Sequence, residues 1–195
     1  MTKNNLKLKY KAAFIKYYKN GNKEQVKWYF LDELHREGDL PASSMYFKSP
    51  KGIIKPGMEE WFVHGKQIRK NDQPTSVVYY KSGNIQTERW MTTTFPGLES
   101  CYRENELPSS IMYYDSKDKQ PKKESYINAD LNDEDGYGYG LVVEYYLNGS
   151  VKSELWKFYC ESSGYSSPHR SGDEPAYIQY YESNDGSFKG KIKSM

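Results

Sequence analysis

Cysteine, leucine and long apolar runs are scarce in this chain, and their scarcity excludes several classes of protein. The only two cysteines, Cys101 and Cys160, exclude a disulfide-rich scaffold, so we expect reduced thiols. No apolar run approaches the ~20 residues that a membrane-spanning helix needs. The lysine-rich start is not followed by the apolar segment of a signal peptide. These features predict a cytoplasmic protein.

A large net charge is also missing, because the chain carries only +2. The charge is uneven, however: residues 1–29 hold eight lysines against Glu24, a balance of +7 that leaves about −5 for the remainder. We interpret residues 1–11 as a basic arm on a mildly acidic body. A solvated lysine face is the alternative interpretation.

Aromatic residues are abundant, and they follow a repeat. Twenty of the 195 residues are tyrosines, and tyrosine favours strands over helices. An aromatic pair stands five and six residues after a recurring proline, alanine or glycine. This slot is occupied by Ala12, Pro41, Pro74, Pro108, Gly140 and Pro175. Successive steps of 29, 33, 34, 32 and 35 residues predict a six-fold repeat architecture.

Each unit has the pattern of a β-hairpin. The third and fifth residues after the slot share one strand face, which is apolar and carries a tyrosine row. This row comprises Tyr17, Tyr46, Tyr79, Tyr113, Tyr145 and Tyr180. The sixth residues form a second aromatic row, which the alternation assigns to the opposite face. Its members are Tyr18, Phe47, Tyr80, Tyr114, Tyr146 and Tyr181.

Turn and linker signals complete the unit. Asn20-Gly21, Ser82-Gly83 and Asn148-Gly149 suit tight hairpin turns, and a tryptophan follows each glycine by seven residues. The linkers carry an Arg-x-x-acid element, in which we expect the arginine to pair with its own acid or to stack on an aromatic ring. Four such pairs occur: Arg36 with Asp39, Arg69 with Asp72, Arg103 with Glu106, and Arg170 with Asp173.

Two units depart from the pattern. The fifth has an acidic stretch, 130–136, whose spacing does not match a calcium loop, so we interpret it as a solvated insertion. In the sixth unit Phe188 is assigned to the position of Ile85 and Val151, and Lys193 takes the tryptophan position. We therefore predict an all-β fold, an elongated twisted antiparallel sheet of six hairpins over residues 12–195.

The repeat resembles the MORN-like repeats of bacterial antitoxin-like proteins and of proteins from large DNA viruses and phages. The segments from His35 to Ala42 and from His169 to Ala176 carry the resemblance, which extends over about residues 12 to 190. It implies a twisted run of β-hairpins with a binding or scaffolding role and no catalytic residues. It also implies, as a narrower possibility, a structural or assembly component of a large DNA virus, located in the particle or in the cytoplasm of the infected cell.

The residues themselves do not indicate an enzyme, a metal or a cofactor. His35 and His169 occupy a repeat position where other units have Ile68 and Tyr102, so we interpret it as a packing position. His64 lies in a loop, and nothing pairs either cysteine with a histidine, as a nucleophilic site would need. A hydrolase with an unrecognised site and an antitoxin-like neutralising protein remain the alternatives.

The predicted function is therefore a scaffold or adaptor whose partner is another protein, which includes a second copy or a capsid component. We predict that the second aromatic row forms much of the binding surface, because tyrosine is enriched at interfaces. The arm lysines are predicted to steer an acidic partner onto it. They are Lys3, Lys7, Lys9 and Lys11. The acidic body disfavours nucleic acid, and only the basic arm favours a lipid surface.

Overall fold

The computed structural model describes residues 12–48, 50, 53–95, 98–100, 103, 107–128, 137–160, 165–170 and 172–195. Strands are the only regular elements in this part of the chain. They are β1 (Ala12–Tyr17), β2 (Lys23–Phe30), β3 (Glu33–Leu34), β4 (Ser43–Tyr46), β5 (Pro56–Glu60), β6 (Ser76–Tyr79), β7 (Ile85–Arg89), β8 (Thr92–Phe95), β9 (Leu98–Ser100), β10 (Ser110–Tyr113), β11 (Pro121–Asn128), β12 (Tyr137–Tyr145), β13 (Val151–Cys160), β14 (Tyr165–Pro168), β15 (Tyr177–Tyr180) and β16 (Ile192–Ser194).

Six hairpins form one open antiparallel sheet, which confirms the predicted fold class. The strand order is β1-β2-β4-β5-β6-β7-β10-β11-β12-β13-β15-β16, with β3 on β2 and β14 on β13. A separate short hairpin, β8–β9, interrupts the third linker and was not predicted. Among the described strands, the main contacts join hydrogen-bonded neighbours, so the sheet is a single layer.

A β-bulge recurs at the first tyrosine of every hairpin. In the third hairpin Val78 lies opposite Thr87 but Tyr79 lies opposite Ile85, which leaves Gln86 as an extra residue. The same register shift occurs in the other five hairpins. A bulge of this kind bends its strand and increases the local twist. The bulge therefore ends regular pairing just before each turn.

The predicted turns are confirmed by their backbone geometry. Gly21, Gly83 and Gly149 have φ of 84°, 101° and 86°, in the left-handed region that glycine adopts without a steric cost. The last hairpin differs from the prediction, because Ile192 and not Phe188 lies opposite Tyr180. Its connection is a longer loop, so the assignment of Phe188 was wrong.

Cross-strand pairs define the two faces of the sheet, because residues directly opposite each other point to the same side. The tyrosine face carries the first tyrosines and a row of opposed residues between them. In order, this row is Ile15, Val26, Ser44, Glu59, Val77, Glu88, Ile111, Glu124, Val143, Glu154 and Ile178. The register confirms that the six first tyrosines share one face.

The opposite face of the sheet carries a different row of opposed residues. We name this row the methionine row, and we name the face that carries it the methionine face. In order, the row is Lys16, Gln25, Met45, Met58, Val78, Thr87, Met112, Lys123, Glu144, Ser153, Gln179 and Ser194. Its centre is apolar except for Thr87, and both flanks are polar or charged.

The principal core lies on the tyrosine face, towards the last two hairpins. It is built from the buried side chains of Val143, Tyr145, Val151, Ile178 and Tyr180. Tyr126, Leu141 and Trp156 pack against it. Because a single layer cannot enclose a core, burial on this face depends on neighbouring hairpins and on the linkers that follow them.

Candidate protein-binding surfaces

The second aromatic row lies at the turn edge of the sheet, and its assignment to the opposite face stays a prediction. Each member is the first residue of its hairpin turn; the Tyr80 N–H, for example, donates to the Asn84 carbonyl at 2.9 Å. The same bond closes the other five hairpins.

Four hydroxyls of this row join neighbouring hairpins. Each donates to the carbonyl of the first tyrosine in the next hairpin. The bonds are Tyr18 to Tyr46 at 2.8 Å, Tyr80 to Tyr113 at 2.8 Å, Tyr114 to Tyr145 at 2.8 Å, and Tyr146 to Tyr180 at 3.0 Å. These four rings are half-buried, whereas Tyr181 is 56% exposed. The row thus stabilises the stacking of hairpins, and its role in binding stays a prediction.

Other predicted features lie outside the described residues. The arm lysines Lys3, Lys7, Lys9 and Lys11 belong to residues 1–11, the predicted basic arm. The acidic stretch 130–136 and Cys101 are likewise outside them, and Cys160 is the last residue of β13.

A ladder of glutamates on the tyrosine face was missed. Each accepts a hydrogen bond from the tyrosine of the next hairpin. The bonds are Tyr79 to Glu59 at 2.7 Å, Tyr113 to Glu88 at 2.6 Å, Tyr145 to Glu124 at 2.5 Å, and Tyr180 to Glu154 at 2.6 Å. A sequence signal existed, because a glutamate stands two residues before Trp61, Trp90, Tyr126 and Trp156.

Two glutamates of this ladder also accept a hydrogen bond from a lysine, and the tyrosines of the ladder remain protonated. Lys119 donates to the buried Glu88 at 2.9 Å, and Lys189 donates to the buried Glu154 at 2.9 Å. Burial, followed by the hydrogen bond to Glu88, raises the pKa of Tyr113 well above its ordinary value. The ladder therefore holds neutral tyrosines against carboxylates, which is a structural arrangement.

The linker arginines stack on the tryptophans, which confirms one of the two predicted alternatives. The guanidinium carbons lie close to the ring centroids: Arg36 to Trp28 at 4.3 Å, Arg69 to Trp61 at 3.9 Å, Arg103 to Trp90 at 4.1 Å, and Arg170 to Trp156 at 3.9 Å. Desolvated cation–π contacts of this kind contribute about 1–2 kcal/mol each.

The predicted pairing of each arginine with the acid three residues later was wrong for Arg36, Arg69 and Arg170. The fourth pair is not tested, because Glu106, the predicted partner of Arg103, lies outside the described residues. Arg69 binds Asp39 of the preceding linker through two nitrogens, at 2.8 and 2.9 Å. Arg103 binds Asp72 of the preceding linker in the same way. Each hydrogen bond from arginine lowers the pKa of the aspartate that accepts it. In the last linker, Arg170 pairs with Glu174 at 2.5 Å and not with Asp173.

Two histidines meet in space although the sequence separates them. His35 is buried, as predicted for a packing position, and its ring lies 4.3 Å from that of His64. The backbone N–H of His64 donates to His35 Nδ1 at 3.1 Å, so this nitrogen positions the loop. His169 is exposed, near Tyr139 and Phe158. A cleft of about 500 Å³ between two linkers includes His35, Arg36, Trp61 and Arg69 in its lining.

The centre of the methionine row presents apolar side chains on a face that no second layer of described strands covers. Met45 is 44% exposed, and Met58, Val78 and Met112 are half-buried. These residues come from three successive hairpins, and the buried Thr87 stands between Val78 and Met112 in the row. The side chain of methionine adapts its shape to different contact surfaces.

Comparison with known proteins identifies no family. The chain matches no protein-family model, and a comparison with curated proteins finds no match. The described residues contain neither a helix that is long and apolar enough to cross a membrane nor a group of three or more side chains arranged to hold a metal ion. The candidate surfaces must therefore be judged on their own geometry.

Proposed function

We propose that this chain is a non-enzymatic scaffold or adaptor that binds another protein. The observation that carries the proposal is the apolar centre of the methionine row, which crosses three hairpins of a single-layer sheet. Exposed apolar surface on a broad face is typical of a protein-interaction site. A flat, extended surface of this kind suits a partner that contacts several hairpins at once.

The methionine face is a stronger candidate than the second aromatic row. The hydroxyls of Tyr80 and Tyr114 already bind backbone carbonyls, so a partner would have only the exposed parts of the rings to contact. Met45, in contrast, is an exposed apolar side chain on a broad surface. The aromatic row remains a second candidate along the turn edge, and the arm lysines remain candidates for steering an acidic partner.

Narrower versions of this proposal rest on the resemblance to MORN-like repeats. They are an assembly component of a large DNA virus, located in the particle or in the cytoplasm of the infected cell, and an antitoxin-like neutralising protein of the cytoplasm. A hydrolase is a candidate from another class, and the cleft beside His35 and His64 is the observation that favours it. If the wild-type chain hydrolyses generic ester substrates and the His64→Ala variant does not, the hydrolase is supported. If the wild-type chain hydrolyses them no faster than the reaction without protein, the hydrolase is rejected.

The binding proposal can be tested with three variants in a crosslinking and quantitative mass-spectrometry experiment. We expect Met45→Lys combined with Met112→Lys to lose partners that the wild-type chain captures, because charge cannot be buried against an apolar surface without a large cost. Retention of every partner by this variant, with β-sheet circular dichroism unchanged, would exclude the methionine face.

The aromatic row needs a matched pair of variants. Serine at Tyr80, Tyr114 and Tyr146 removes the rings and three hydrogen bonds between hairpins, whereas phenylalanine removes the hydrogen bonds alone. Phe47 shows that one unit of the natural chain already lacks the hydroxyl. Loss of binding in the serine variant only would assign the contact to the rings. Binding by both variants at the level of the wild-type chain would exclude the row.

A further inference from the structure

The methionine face carries a second row of opposed residues, two positions nearer to the linkers than the methionine row. We name it the serine row, because serines occupy much of its centre. In order across the strands from β1 to β12, it is Phe14, Lys27, Ser43, Glu60, Ser76, Arg89, Ser110, Ser125 and Val142. Charged side chains of opposite sign therefore flank Ser76 on its two sides.

Glu60 and Arg89 are the charged residues nearest to the apolar centre of this face. Ser76 lies opposite Glu60 in one neighbouring strand and opposite Arg89 in the other. Glu60 is half-buried and Arg89 is exposed. Among the described residues, neither side chain has an opposite charge within 4 Å. Two uncompensated charges of opposite sign thus stand two strands apart on the surface.

The extent of the apolar centre fixes where a two-fold axis between two copies would pass. The centre runs from Met45 in β4 to Met112 in β10, and its middle strand is β6, which contributes Val78. A two-fold axis along β6 places β6 of one copy over β6 of the other, β5 over β7, and β4 over β10. Residues at equal distances on either side of β6 then face each other, and each row faces the same row of the other copy.

We propose that the methionine face binds a second copy of this chain, face to face, about a two-fold axis along β6. The inference deepens the proposed function and rests on it, because it names the partner of the methionine face. Glu60 of each copy faces Arg89 of the other, so the contact contains two pairs of opposite charge. A two-fold contact is isologous, so the association closes at a dimer.

The remaining facing residues fit the same axis, because no two like charges lie directly opposite each other. From the axis outward, the methionine row places Val78 on Val78, Met58 on Thr87, Met45 on Met112, Gln25 on Lys123 and Lys16 on Glu144. The serine row places Ser76 on Ser76, Glu60 on Arg89, Ser43 on Ser110, Lys27 on Ser125 and Phe14 on Val142. Apolar residues therefore meet at the centre, and charges meet an opposite charge or a neutral residue.

A two-fold axis across the strands fits poorly. Each strand would then face itself, so rows in register would place Glu60 on Glu60 and Arg89 on Arg89. Exchanged rows would instead place Glu60 on Met58, which buries a charge without a partner. The axis along β6 avoids both conflicts and keeps the strands of the two sheets aligned, as in common sheet-on-sheet packing.

The facing area is sufficient for a reversible dimer. Along the sheet, the nine strands from β1 to β12 span roughly 40 Å at about 4.8 Å each. Four residues of each strand cover about 14 Å, so the two copies together bury roughly 1,200 Å². Specific interfaces start at about this size. The dimer is therefore expected to dissociate on dilution.

The test is a charge reversal measured by sedimentation velocity on the purified chain over a range of concentrations. The wild-type chain is expected to form a reversible dimer and no larger species. Glu60→Arg alone and Arg89→Glu alone should each weaken dimerisation at least about tenfold, because both facing pairs then carry like charges. A chain with both changes regains opposite charges in both pairs, so it should dimerise like the wild-type chain. An equimolar mixture of the two single variants should do the same.

The matched control is Glu182→Arg, an equal charge change at an exposed residue of the last turn, beyond the nine facing strands. It should dimerise like the wild-type chain. A wild-type chain that stays monomeric at every concentration would overturn the proposal, as would species that keep growing beyond the dimer. So would full dimerisation of either single variant, or a folded double variant that stays monomeric.

Failure of this inference can be told apart from failure of the proposed function. Sedimentation measures the purified chain alone, whereas the crosslinking experiment measures the capture of other proteins. If the chain is monomeric and Met45→Lys combined with Met112→Lys still loses captured partners, the second copy is overturned as the occupant and the scaffold proposal stands. A dimer that withstands those two lysines would place the contact elsewhere and also overturn the inference.

Discussion

At the scale of single residues, Tyr113 connects its hairpin to the preceding one twice. Its hydroxyl donates to the buried Glu88 in β7, and its carbonyl accepts the hydroxyl of Tyr80. Tyr145 and Tyr180 repeat both contacts one and two hairpins later. The side chain thus combines an apolar ring that is buried with a polar end that satisfies a buried carboxylate.

Removing the hydroxyl of Tyr113 tests this role. We expect Tyr113→Phe to lower the free energy of unfolding by about 1–3 kcal/mol, because Glu88 loses one of its two hydrogen-bond donors and stays buried. Tyr17→Phe is the control, since its ring is exposed, and its effect should stay within about 0.5 kcal/mol. Urea unfolding measures both, and equal costs would contradict the glutamate ladder as a source of stability.

At the scale of the element, contacts between successive linkers stabilise the packing of neighbouring hairpins. The Trp90 indole lies under the Arg103 guanidinium and donates from Nε1 to the Asp72 carbonyl at 2.9 Å. Asp72 in turn accepts two hydrogen bonds from Arg103. Trp61, Arg69 and Asp39 form the same arrangement one unit earlier. One tryptophan therefore joins two successive linkers.

The loss of that ring should be costly. We expect Trp90→Ala to lower the free energy of unfolding by about 3–5 kcal/mol, because the side chain is only 8% exposed and its removal also releases Arg103. Hydrogen exchange should accelerate first in β6, β7 and β10, since repeat arrays transmit stability between neighbours. Phe188→Ala, at an exposed ring, is the control; a cost of Trp90→Ala below about 1 kcal/mol would contradict the buried role.

At the scale of the whole molecule, the tyrosines make the sheet sensitive to alkaline pH. Burial is the first cause, and hydrogen bonds to glutamates the second, of raised pKa values in five tyrosines. They are Tyr79, Tyr113, Tyr126, Tyr145 and Tyr180. An unfolded tyrosine ionises near pH 10, so above that pH the unfolded chain binds fewer protons than the folded one. Stability present below pH 10 is therefore lost as the pH rises further.

This loss can be followed by urea unfolding between pH 9 and 11. Each tyrosine of the five contributes a fall of up to about 1.4 kcal/mol per pH unit once its unfolded form ionises. Tyr113→Phe combined with Tyr145→Phe should reduce the slope, and Tyr17→Phe should leave it unchanged. A slope that is identical in all three chains would assign the alkaline loss to other groups.

The sequence by itself determined the repeat, the hairpins, the Asn-Gly and Ser-Gly turns and the shared face of the first tyrosines. These features depend on local spacing and on the preferences of neighbouring residues, which are visible along the chain. Stacking of Arg36 on Trp28 was also foreseeable, because both side chains belong to one unit.

The tertiary structure alone decided which unit each side chain contacts. Asp39 binds the arginine of the following linker, Tyr113 binds the glutamate of the preceding hairpin, and the Tyr80 hydroxyl binds the carbonyl of Tyr113 in the following hairpin. These contacts depend on the register between hairpins, and a shift by one residue would send each side chain to the opposite face. Composition and spacing do not predict that register, because it is set by the packing of successive hairpins against each other.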